Sequence, residues 1–90
     1  MKEIEATISG RVQLVLFRDF MQRKARALRI CGFIRNNKDG TVTVIAQGDD
    51  TVLERFIGYA REGSFLSKVE SVNVEYRMPG RIYSDFLISY

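Results

Sequence analysis

Between residues 3 and 9 the side chains alternate, with Ile4, Ala6 and Ile8 on one side and Glu3, Glu5, Thr7 and Ser9 on the other, the period of a half-buried strand. From Phe17 the repeat lengthens. Phe17, Phe20, Met21, Ala25 and Leu28 fall on one helical stripe while Arg23, Lys24 and Arg26 turn away, which predicts a helix over about 18–30, stopped near Gly32. The same switch of period then recurs. Residues 33–36 read as a short strand, Asn37-Lys38-Asp39-Gly40 as a turn, and residues 41–47 as its hairpin partner carrying Val42, Val44 and Ala46. A second helix, capped by Asp49 or Asp50, presents Val52, Leu53, Phe56, Ile57 and Ala60 and ends at Gly63. Residues 64–67 form a loop, Val72, Val74 and Tyr76 mark the next strand, Pro79-Gly80 turns the chain, and Phe86, Ile88 and Tyr90 share one side of a closing strand.

The order β-α-β-β-α-β-β specifies an α+β, ferredoxin-like sandwich, with two helices on one face of an antiparallel sheet. In this split arrangement the first two strands run parallel on either side of the third. The right-handed crossover puts their C-terminal ends on one edge, so residues 10–17 and Asn36 should be neighbours. With 90 residues and no linker or repeat, one domain over 1–90 is expected.

Composition narrows the chemistry. The chain has no histidine and one cysteine, which excludes imidazole bases, an intrachain disulfide and a zinc knuckle. No apolar run spans a bilayer and the N-terminus lacks a signal core, so no membrane partner and a cytoplasmic location are expected. The net charge of +3 hides an asymmetry: residues 11–38 hold eight cations against Asp19 alone, while the remainder carries six cations and ten anions. A basic stretch of this kind suits an anionic partner, or is simply a solvated helix face.

Residues 10–18 join the first strand to the first helix. Such a loop presents unpaired amide groups at the positive end of a helix, a cradle for phosphate or carboxylate. Arg18 sits in the first helical turn, where a cation opposes the helix dipole unless an anion lies nearby, and its planar fork matches two phosphate oxygens. Asn36, across the edge, is a neutral side chain that can hold a water beside an anion, and it also suits the start of a hairpin turn.

These residues match a known pattern. Gly10-Arg11-Val12-Gln13, Val15, Phe17-Arg18, then Gly32-Phe33-Ile34-Arg35-Asn36 and Asp39-Gly40 resemble the acylphosphatase signature, Gly-x-Val-Gln-Gly-Val-x-Phe-Arg followed by Gly-Trp-Val-x-Asn and a glycine turn. The resemblance runs through Phe86-x-Ile88-x-Tyr90. It implies a small stand-alone enzyme that hydrolyses acyl phosphates to a carboxylate and inorganic phosphate, without metal or cofactor. Arg18 and Asn36 would be catalytic, the first binding phosphate with the loop amides of Gln13, Leu14, Val15, Leu16, Phe17 and Arg18, the second orienting water. A carboxylate is a good leaving group, so this reaction needs no histidine acid.

Three positions depart from the pattern: Leu14 replaces a loop glycine, Phe33 a tryptophan, read as a core exchange, and Arg29 a glycine. A leucine at a left-handed position costs roughly 1–2 kcal/mol, which leaves open an anion-binding relative with little turnover. A nucleic-acid module is the other reading, disfavoured because the first strand shows no aromatic side chain. Cys31 is expected as a small buried residue, Met21 as core, Arg11 and Arg35 as cations flanking the site, and the chain as a monomer.

Overall fold

The structure is a computed structural model that describes residues 1–13 and 16–90. Its elements are β1 (Lys2–Arg11), α1 (Phe17–Ala27), β2 (Cys31–Asn36), β3 (Val42–Gly48), α2 (Asp50–Glu62), β4 (Lys68–Arg77) and β5 (Phe86–Ser89). The sheet order is β4-β1-β3-β2-β5. β3 pairs antiparallel with both β1 and β2, and β1 antiparallel with β4, so β1 and β2 run parallel as the crossover requires. The closing strand adds in parallel to β2, which makes the sheet mixed rather than wholly antiparallel.

The register explains the core. Ile4, Ala6 and Ile8 lie opposite Ala46, Val44 and Val42 on one side and Tyr76, Val74 and Val72 on the other. That face meets Phe17, Met21 and Ala25 of α1 and Leu53, Phe56, Ile57 and Ala60 of α2, and the Phe56 ring meets the edge of Phe86 at 5.6 Å between centroids. Burying each of these large side chains contributes about 1.5–3 kcal/mol, enough to dock helices too short to stand alone. Phe86 and Ile88 face inward, whereas Tyr90 lies beyond the strand and is exposed.

Helix α1 stops earlier than its periodicity predicts. Leu28 closes it, Arg29 adopts a left-handed φ of 58°, and the amides of Arg29 and Ile30 donate to the carbonyls of Arg26 and Ala25. This is a Schellman stop with arginine where glycine is usual, so the helix ends before Gly32. Gly32 instead lies inside β2, where a side chain would collide with the carbonyl of Ile45. Because Gly32 and Ile34 take the inward positions, Cys31 and Phe33 fall on the opposite face and are only half-buried. Neither is a core residue, contrary to the expectation for both.

β4 and β5 occupy opposite edges, so the chain between them crosses the open face of the sheet. Gln47 pins it there. Its Nε2 donates to Glu3 Oε1 at 2.7 Å and to the Arg81 carbonyl, and its Oε1 accepts from the Tyr83 amide at 3.0 Å. Arg77 then bridges Glu3 (2.5 Å) and Glu5 (2.8 Å), so the buried polar groups of this crossing are matched. No helix among the described residues is long and apolar enough to cross a membrane.

Candidate active site

The parallel course of β1, β2 and β5 brings their C-terminal ends to one edge, where β4 also begins, with Arg11 opposite Lys68. Residues 10–13, the start of α1, Asn36 and Tyr90 therefore gather on that edge, the neighbourhood the topology predicts. A cavity of about 320 Å³ opens there, with Val12, Leu16, Phe17, Arg18, Ile88 and Tyr90 in its wall, and Asp19 at its side.

Leu16 is the N-cap of α1. It has φ 61° and ψ 19°, is 72% exposed, and supplies no side-chain cap. Its own carbonyl accepts from the Phe20 amide at 3.0 Å, while a left-handed residue followed by helical ones turns successive amides toward a common point. Such a turn at the positive end of a helix suits an anion. The fold holds this non-glycine residue in place against a cost of roughly 1–2 kcal/mol.

Arg18 is half-buried in the first turn, and its guanidinium carbon lies 4.9 Å from the centre of the Tyr90 ring. A cation–π contact at this distance restrains the guanidinium beside the cavity, and a guanidinium presents a planar fork of N–H groups suited to an oxyanion. The carboxylate of Asp19, beside the same cavity, is turned to Arg23 at 3.1 Å, an i,i+4 pair that offsets an otherwise repulsive charge.

Asn36 closes β2. It lies opposite Val42, which also faces Ile8, so its side chain belongs to the helix-covered face. Its Oδ1 is buried and has no hydrogen-bond partner among the described residues. Leaving a buried acceptor unmatched costs about 1–3 kcal/mol, so this atom is poised for a donor that the described residues do not provide. Asn36 is not among the residues in the wall of the Arg18 cavity; the two share the edge, not that pocket.

Gln13 contributes a side chain as well as its place in the loop. Its Nε2 donates to the carbonyls of Asn37 (2.8 Å) and Thr41 (2.9 Å), which ties the loop to the β2–β3 hairpin. Asn37 Nδ2 donates in turn to the hydroxyls of Thr41 and Thr43, and Thr41 donates through its hydroxyl and amide to Asp39. The Thr41 hydroxyl, then its amide, holds the Asp39 carboxyl below the usual carboxylate range. Sequence reasoning missed both this clamp and the stack of Tyr90 on Arg18. An amide in a loop and an aromatic residue after a strand carry no signal of their partners until the strands are paired.

Leu14 and Val15 lie outside the described residues, so the expectations for those two fall outside the structure. Arg35 points along the open face, 5.7 Å from the Phe33 ring centre, rather than over the edge. Among the described residues no three Asp, Glu, Cys or His side chains cluster to hold a metal.

The acylphosphatase family model matches residues 4–88. The chain belongs to the acylphosphatase family. An acylphosphatase of Thermococcus kodakarensis is 43% identical over 81 residues, covering 88% of this chain and 89% of that protein. One of Salinibacter ruber is 38% identical over 87 residues, covering 97% and 92%. The crystal structure of acylphosphatase from Bacillus subtilis superposes with a TM-score of 0.97 at 32% identity, over 100% of both chains. The acylphosphatase fold is thus present throughout, including the parallel closing strand that carries Tyr90 to Arg18.

Proposed function

We propose that the chain hydrolyses acyl phosphates at the edge formed by Arg18, the N-terminus of α1 and Asn36. The phosphoryl group sits in the amide nest that Leu16 shapes, with the Arg18 fork on two of its oxygens. Cation and amides neutralise the charge that spreads over those oxygens in the transition state. Asn36 Oδ1 accepts a proton-side hydrogen bond from the attacking water and aims its lone pair in line with the P–O bond that breaks. The water oxygen bonds to phosphorus, the electron pair of the breaking bond leaves on the carboxylate, and the water proton ends on the phosphate or in solvent. The leaving carboxylate is a weak base and needs no acid. The reaction so described uses neither metal nor cofactor, with acyl phosphate as the small-molecule partner and inorganic phosphate as product.

The observation that carries this reading is the buried Oδ1 of Asn36, unmatched among the described residues, on the same edge as an arginine held against Tyr90 at a helix N-terminus. The test is benzoyl phosphate turnover in excess chelator, with inorganic phosphate as competitive inhibitor. Arg18→Ala is expected to raise KM and weaken phosphate inhibition, since it removes a charge-assisted fork worth about 1.5–3 kcal/mol. Activity that disappears with chelator and returns with magnesium would refute the mechanism.

A further inference from the structure

The open face of the sheet is polar over most of its area, as a solvated face should be, with Thr7, Ser9, Asn73 and Ser71 on β1 and β4. The strip over β2 and β5 departs from this. Phe33 and Tyr83 meet edge to face, with centroids 5.8 Å apart and planes at 69°, and Leu87, the register partner of Phe33, is 54% exposed beside them. Arg35 lies 5.7 Å from the Phe33 ring and Arg81 5.3 Å from the Tyr83 ring. Together with Gly32 and Ser89 these side chains border a cleft of about 370 Å³. The ion pairs among the described residues use Lys2, Arg23, Arg26 and Arg77, and none involves Arg35 or Arg81.

An aromatic corner bounded by two guanidinium groups without carboxylate partners is complementary to a neutral planar ring joined to an anionic group. The volume is that of a small-molecule site, typically about 300–1,000 Å³. We propose that this cleft binds a nucleoside monophosphate. The base stacks on one ring of the Phe33–Tyr83 corner with Leu87 beneath it, and the phosphate is held by a guanidinium fork. Neither Arg18 nor Asn36 lines this cleft, which meets the Arg18 cavity only through Ile88, while Phe33, Arg35, Tyr83 and Leu87 belong to the face of the sheet away from the helices.

The experiment is a titration of the full chain with AMP, followed by amide chemical shifts and repeated on Arg18→Ala so that binding at the Arg18 edge is told apart. Saturable shifts are expected at Phe33, Arg35, Tyr83 and Leu87. Adenosine and ribose 5-phosphate, which lack phosphate and base respectively, should each bind at least about tenfold more weakly. Arg81→Gln and Tyr83→Leu should each weaken AMP by about tenfold while benzoyl phosphate kcat/KM stays within about twofold. Retained turnover also shows that the variants fold. Shifts confined to the loop at residues 13–18, ribose 5-phosphate binding as well as AMP, or no response in either variant would overturn the proposal. A short single-stranded oligonucleotide that binds far more tightly than AMP would also overturn it, by making the strip a surface for a strand.

Discussion

Replacing Leu16 with glycine should stabilise the protein. Leu16 holds φ 61°, a conformation that costs a leucine roughly 1–2 kcal/mol and a glycine almost nothing. Its side chain is 72% exposed, so the apolar burial forfeited is less than a third of the usual value for leucine, about 0.5 kcal/mol. Glycine also frees the unfolded chain, at a cost of about 0.5 kcal/mol at a position whose native conformation suits it. The net expectation is a gain of up to about 1 kcal/mol, or roughly 4–8 °C in Tm for a domain of this size. Differential scanning calorimetry and urea unfolding measure it. A loss of Tm would refute the claim that the loop is strained at Leu16. Benzoyl phosphate kinetics complete the test: if the nest needs the turn and not the side chain, phosphate inhibition is unchanged in Leu16→Gly.

The other non-glycine left-handed residue among the described residues gives a control away from the site. Arg29→Gly should raise Tm by a few degrees, through the Schellman stop of α1, and leave kcat and KM unaltered. Gln47→Leu strands the Arg81 carbonyl, the Tyr83 amide and one oxygen of buried Glu3, so urea unfolding should show a loss above about 3 kcal/mol. Stability should also fall in acid. The carboxyls of Asp39, bonded by Thr41, and Asp85, bonded by the Phe86 amide and then Arg26, both lie below their ordinary value of 3.8. Folding therefore favours their charged forms, the benefit is complete above about pH 4, and it disappears as pH drops through the lowered values. Thermal unfolding between pH 2 and 6 reads this directly, and a rise in Tm on acidification would contradict the sign.

Most of the architecture was legible because period 2 and period 3.6 alternate cleanly along the chain. β1 and α2 are where Ile4–Ala6–Ile8 and Leu53–Phe56–Ile57–Ala60 place them. The end of α1 was not legible, because an arginine at a left-handed stop looks like one more helical cation. An aromatic residue in a strand fits either face, and only the inward turn of Gly32 and Ile34 puts Phe33 on the open one. The parallel attachment of β5 depends on a chain that crosses the open face and is held by Gln47, a long-range contact no local pattern encodes. Arg18 and Asn36 stood out through the chemistry of their residue types and a family resemblance, yet Tyr90 and the Gln13 clamp emerged only once the strand ends were assembled.

Kinetics of Asn36→Ala test the central claim most directly. If Asn36 Oδ1 positions the attacking water while Arg18 and the loop amides hold the phosphate, kcat for benzoyl phosphate should fall by about 100-fold or more. The inhibition constant of inorganic phosphate should meanwhile stay within about threefold, because the neutral amide contributes little to anion binding. Unchanged kcat, or parallel loss of turnover and phosphate affinity, would contradict the division of labour between the two residues.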